Sequence, residues 1–196
     1  MSSKQLSHTN RRGEKYFLCR KLTKKGNPRY YFAKSPSGEP VYTIPDGYEI
    51  RESVNGLVTL GKQRELYLRE SEIQAVEDEL SRKPTPEKYG LAVKPKLIEV
   101  HQAPSGGPEL LAKLFPFAHP AKVREAYLNS LSYSPVMQFL LVDEETRAFR
   151  AQRMGYRAKL SGWLWIDKAD SIQNLCRRLI PLLGTDELFE IDIEFC

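Results

Sequence analysis

The 196-residue sequence lacks most of the features that announce an activity. It has three cysteines, Cys19, Cys176 and Cys196, an odd number at wide spacing with no CxxC pair. That argues against a disulfide framework and suits a reducing, cytoplasmic setting. Of the three histidines, His101 and His119 have no neighbouring His or Cys at metal-ligand spacing. Long hydrophobic runs are missing. Stretches such as Phe139 to Val142 are far too short to span a bilayer, so no membrane association is expected. The first fifteen residues, MSSKQLSHTNRRGEK, contain no apolar core of the secretory kind. No G-x-S-x-G, H-E-x-x-H or G-x-G-x-x-G signature occurs, and Ser105-Gly106-Gly107, which precedes a helical pattern, has no Walker lysine at the required spacing. The sequence therefore indicates no catalytic residue, no metal ligand and no cofactor, and it leans away from an enzyme.

What is present is enough apolar sequence for a core, with 41% hydrophobic and 28% charged residues, and an uneven distribution of charge. Residues 11–34 hold nine cations against the single anion Glu14, a net charge of +8 in a chain of +5, so everything else sums to −3. Such a window is an electrostatic footprint for phosphate. The competing account is a solvated hairpin whose lysines guard an exposed sheet edge.

Along the chain, residues 1–14 read as a flexible tail. Lys15 to Leu22 and Arg29 to Lys34 favour strands, joined through Lys24-Lys25-Gly26-Asn27 as a hairpin. Tyr48 to Arg51 and Leu57 to Leu60 flank Asn55-Gly56, a two-residue hairpin signal, so residues 15–62 form a small antiparallel meander. Residues 63–86 carry a connecting helix, capped by Ser71 with Gln74 three residues on. Its apolar stripe is Ile73, Val76 and Leu80, and Pro84 and Pro86 close it. Residues 87–196 form an α+β domain of about four strands and three helices. Its strands are Leu97 to His101, Val136 to Val142, Tyr156 to Ile166 with a bend at Gly162, and the alternating Phe189, Ile191, Ile193 and Phe195. Its helices follow Pro108, follow Pro120, and run from Ser171 to about Ile180. Ile172, Leu175, Leu179, Phe139, Leu141, Ile191 and Ile193 are the expected core.

Three constellations bear on function. The first hairpin interleaves Tyr16, Phe17, Tyr30, Tyr31 and Phe32 with its cations. Tyr30 and Phe32 fall on one face, Arg29 and Tyr31 on the other. Aromatic faces stack on unpaired bases and cations neutralise phosphates, which points to a platform for single-stranded DNA or RNA built from Lys21, Lys24, Lys25, Arg29 and Tyr31. Against it stands the use of strand aromatics as core. Second, Glu190, Asp192 and Glu194, with Asp186 and Glu187 close by, offer carboxylates for a hard cation on one strand face; they are read here as a solvated outer face in preference to a metal site. Third, Trp163 and Trp165 share a strand face opposite Leu164 and Ile166, read here as core in preference to an exposed partner patch.

Gly26, Pro28, Arg29, Tyr30, Tyr31 and Phe32, followed by Ile44, Pro45, Gly47, Tyr48, Glu49 and Ile50, give a G-x-P-R-Y-Y-F segment and then I-P-x-G-Y-E-I. On these residues, within 24–60, the chain resembles a bacterial protein family without an assigned activity. The resemblance implies a bacterial, cytoplasmic protein and transfers no role to any residue.

The sequence thus predicts an α+β protein whose first function is non-catalytic binding of nucleic acid through the basic aromatic hairpin. A protein-interaction or scaffold module is the second reading, and a metal-dependent phosphodiester hydrolase the third.

Overall fold

The computed structural model describes residues 4–104, 119–157 and 160–191. The fold is α+β, and the chain divides into two compact units, residues 1–64 and 65–196.

The first unit is all β. Strand β1 (Ser7–Thr9) pairs antiparallel with β2 (Lys15–Leu22), and β2 pairs with β3 (Pro28–Ala33) on its other edge; the two-residue β4 (Glu39–Pro40) also joins β2. A separate hairpin is made by β5 (Tyr48–Glu52) and β6 (Val58–Lys62). Residues 7–9 are therefore strand where a flexible tail was expected. Their polar side chains carry no strand signal, and it is the ladder to β2 that orders them. Asn10, just beyond, is buried.

Three turns of this unit share one design. In Asn10–Glu14, Thr23–Asn27 and Ser53–Leu57, the first residue's N–H donates to the fifth residue's carbonyl. The fourth residue, always glycine, donates to the first residue's carbonyl. The first side chain then accepts from the fifth N–H: Asn10 Oδ1 at 2.8 Å, Thr23 Oγ1 at 3.1 Å and Ser53 Oγ at 3.0 Å. Gly13, Gly26 and Gly56 stand at φ of 77°, 80° and 78°, a conformation that suits glycine. Asn55-Gly56 is thus the tail of a longer turn, not the two-residue hairpin loop its dipeptide suggests.

The second unit is an antiparallel sheet of five strands, in the order β11 (Leu160–Trp165), β10 (Ala148–Arg157), β9 (Ser134–Asp143), β8 (Leu97–Gln102), β7 (Tyr89–Lys94). The alternation of β9 sends Met137, Phe139 and Leu141 to one face, where they meet Ile98 and Val100 of β8 and Phe149 and Ala151 of β10. Helices α1 (Glu70–Ser81) and α3 (Ile172–Leu179) close that core with Val76, Leu80, Ile172, Leu175, Cys176 and Leu179. Helix α2 (Pro120–Ser130) sets Tyr127 into a smaller cluster with Ala103 and Leu131. The expected core residues from Ile172 to Ile191 are all here, Ile191 partly buried; Ile193 lies outside the described residues, as does the helix expected after Pro108.

Several local expectations change. The helix read as a connector packs into the second unit's core. It starts not at Ser71 but at Arg69, whose N–H donates to Glu72 at 2.7 Å in a capping box. Glu72 is also held by Arg147 of the β9–β10 turn, and Arg147 adopts a left-handed φ of 57° there. The third strand of the domain is two strands, because residues up to 157 continue β10. The strand expected from Phe189 is helical at its start, α4 (Glu187–Glu190). Leu188 and Ile191, three apart, face the core and leave Phe189 half exposed. Trp163 and Trp165 are half-buried and outside the core. Ile166 takes the buried side, and the Arg150 guanidinium stacks 4.2 Å above the Trp165 ring. No helix among the described residues is long and apolar enough to cross a membrane.

Candidate nucleic-acid interface

The hairpin of β2 and β3 carries all five residues expected to bind nucleic acid. Its register pairs Cys19 with Tyr31, Lys21 with Arg29 and Leu22 with Pro28. Cross-strand partners share a face and successive residues alternate. One face therefore holds Lys15, Phe17, Cys19 and Lys21 from β2 with Tyr31 and Arg29 from β3. The other holds Tyr16, Leu18, Arg20 and Leu22 with Tyr30, Phe32 and Pro28. The second face holds three of the five aromatic residues. Tyr16 and Leu18 are buried, and the Tyr30 ring lies 6.0 Å from that of Tyr48 in β5. Tyr16 is a core residue, and Tyr30 and Phe32 are half-buried.

The first face is built differently. Lys15 Nζ stands 5.3 Å from the Phe17 ring centre, and Lys21 Nζ 5.3 Å from that of Tyr31. The Tyr31 hydroxyl donates to the Ser37 carbonyl. Gly38 makes room for that arrangement: at φ 92°, a Cβ there would sit 2.8 Å from both Arg20 O and Tyr31 Oη. Tyr31 is thus a half-buried ring pinned at its tip, with a cation beside it. Cys19, between the two lysines in sequence, is covered, with Gln5 Nε2 3.5 Å from its sulfur. The Lys15–Phe17 pair was not among the expected site residues. Its signal is the i, i+2 spacing that puts a cation and a ring on one strand face.

Not every cation of residues 11–34 is available. Lys34 pairs with Glu14 at 2.5 Å and Arg20 lies 3.5 Å from Glu39. The hydrogen bond from Lys34, then that from Asn10, holds the Glu14 carboxyl below its ordinary range. Lys21, Lys24, Lys25 and Arg29 have no carboxylate within ion-pair distance among the described residues. All four are exposed, with Lys24 and Lys25 at the two outer positions of the Thr23–Asn27 turn. Residues 1–64 as a whole carry thirteen cations and five anions, a net +8, against −3 for the rest of the chain.

No group of three or more His, Cys, Asp or Glu side chains among the described residues is arranged to hold a metal. Of the acidic run, Glu187 and Glu190 lie on α4, and Asp192 and Glu194 fall outside the described residues. The chain matches no protein family, no curated protein and no solved structure.

Proposed function

We propose that the protein binds single-stranded nucleic acid through the β2–β3 ribbon, without catalysis. The observation that carries this is the set of four exposed cations with no carboxylate partner among the described residues, Lys21 and Arg29 on the Tyr31 face and Lys24 and Lys25 in the turn that joins the strands. Phosphates meet the cations and a base stacks on the exposed part of the Tyr31 ring. Charge and stacking contribute through separable physics: the first releases counterions and falls with salt, the second does not.

The test is fluorescence anisotropy of labelled DNA and RNA single strands at two salt concentrations. Lys24, Lys25 and Arg29 changed together to Ala should flatten the salt slope by about 2, at ~0.7 per phosphate contact. Tyr31→Ala should weaken binding by ~1–3 kcal/mol with the slope kept. Tyr31→Phe, which loses only the bond to Ser37, should bind almost as well as the parent. Absence of binding at low salt by the folded protein overturns the proposal.

A further inference from the structure

We infer that the end of the ribbon has a second, apolar side, Leu22 and Pro28, that stacks on the terminal base pair of a duplex. The preferred ligand is then a single strand continuing out of a duplex end. This rests on the nucleic-acid reading above and adds a ligand class and two residues to it.

Leu22 and Pro28 are direct partners in the ladder, one residue from the Lys21–Arg29 pair and therefore on the opposite face. Nearer the base of the ribbon that apolar face is occupied, by the buried Leu18 and by Tyr30 against Tyr48. At the end of the ribbon it is not: residues 21–29 are all exposed, Leu22 at 57%. An exposed leucine alone is ordinary. This one is paired across the ladder with Pro28 and opens the turn that carries Lys24 and Lys25, two exposed cations with no carboxylate partner among the described residues. An apolar pair beside cations is the composition by which proteins wedge against base steps. Leu and Pro meet the base surface while the neighbouring charges neutralise the phosphates on either side. The geometry divides the work. Lys21, Arg29 and Tyr31 take the single strand along one face, and Leu22 with Pro28 caps the duplex from the other.

The experiment measures anisotropy with three DNA probes: a single strand, a blunt duplex, and that duplex carrying the single strand as an overhang, in both polarities. The overhang probe of one polarity should bind about tenfold tighter than the single strand, the size of one base stack. Leu22→Ser should erase that preference and leave single-strand affinity within about twofold, since Leu22 touches only the duplex end; Leu22→Phe should restore it. Equal affinity for overhang and single strand, or a preference that survives Leu22→Ser, overturns the inference and leaves the single-strand reading standing. No binding to any probe overturns both. The leucine is exposed, and circular dichroism of each variant confirms that the fold is retained.

Discussion

The two units keep their shape by different means. Among the described residues, those of 65–196 join eighteen buried side chains from three strands, three helices and the segments around them into one cluster. Among the described residues of 1–64, the buried hydrophobics are Tyr16, Leu18, Cys19, Val54 and Val58. The second unit is stabilised mainly by apolar area removed from water, which is indifferent to sequence detail so long as volume is kept. The first depends on hydrogen-bonded turns and short ladders, where the identity of single residues matters. A ribbon held by its ladder and turn, and not by a covering layer, leaves both of its faces open at the end. That is what a binding arm needs and what a core strand cannot offer.

The contrast is broken most severely at Leu175, fully buried on α3. Leu175→Ala should cost ~2–5 kcal/mol through lost transfer energy and a cavity, read by urea unfolding followed through the fluorescence of Trp163 and Trp165. Oligonucleotide binding at low denaturant should be unchanged. A loss of binding in step with stability would mean that the two units do not act separately.

Next in size is Glu72. Burial raises its pKa, but the hydrogen bond from Arg147 and the Arg69 N–H outweigh that, and the net shift is downward. A carboxylate with a lowered folded pKa stabilises above its unfolded pKa of about 4, and that contribution is lost as pH falls through the folded value. Asp170, held at about 2 first by Arg178 and then by Asn174, behaves the same way. Stability should therefore fall between about pH 4 and pH 2. Glu72→Gln should cost ~1–3 kcal/mol at neutral pH and make the acid limb shallower. An unchanged limb would place the acid-sensitive groups elsewhere.

The first unit's dependence on turns is tested by its glycines. Gly26→Ala meets only the strain of a left-handed φ, ~1–2 kcal/mol, because nothing lies within 4 Å of the added Cβ. Gly56→Ala should cost more. Its Cβ would sit 3.0 Å from Asn10 Nδ2, which donates to the Gly56 carbonyl at 2.7 Å. Thermal unfolding that ranks Gly26 above Gly56 would contradict this order. The smallest effect is chemical. Cys19 and Cys176 are free and buried, and burial pushes the Cys176 thiol up to about 12. Both should react with a thiol reagent only as fast as the chain opens.

Much of this was legible in the sequence where periodicity is strong. Ile172, Leu175, Cys176 and Leu179 mark α3, and the apolar run of β9 marks a central strand. The separation of Tyr30 and Phe32 from Arg29 and Tyr31 follows from strand alternation alone. Legibility failed where tertiary pairing decides. Ser7–Thr9 and Tyr89–Lys94 have weak patterns and become strands through their partners. Phe189 and Ile191 alternate like a strand, yet Leu188 wins the buried position and the segment turns helical. At the candidate interface, the cations could be counted but not sorted. Glu14 and Glu39 neutralise Lys34 and Arg20 only because the chain folds them together.

The repeated turn makes the dipeptide between its cap and its glycine a cassette. Asn10, Thr23 and Ser53 fix the backbone from one side and Gly13, Gly26 and Gly56 from the other. Arg11-Arg12 and Lys24-Lys25, both dibasic, and Val54-Asn55, whose valine is buried, occupy the same socket. The frame's own hydrogen bonds come from the cap, the glycine and the backbone, so they do not select the dipeptide. At the exposed Lys24-Lys25 turn the pair can be exchanged, for instance for a fluorophore-bearing one, with the ladders on either side unaffected, whereas Val54 must stay apolar. The two lysines proposed to meet phosphate here therefore ride on a fitting whose hydrogen bonds do not depend on them.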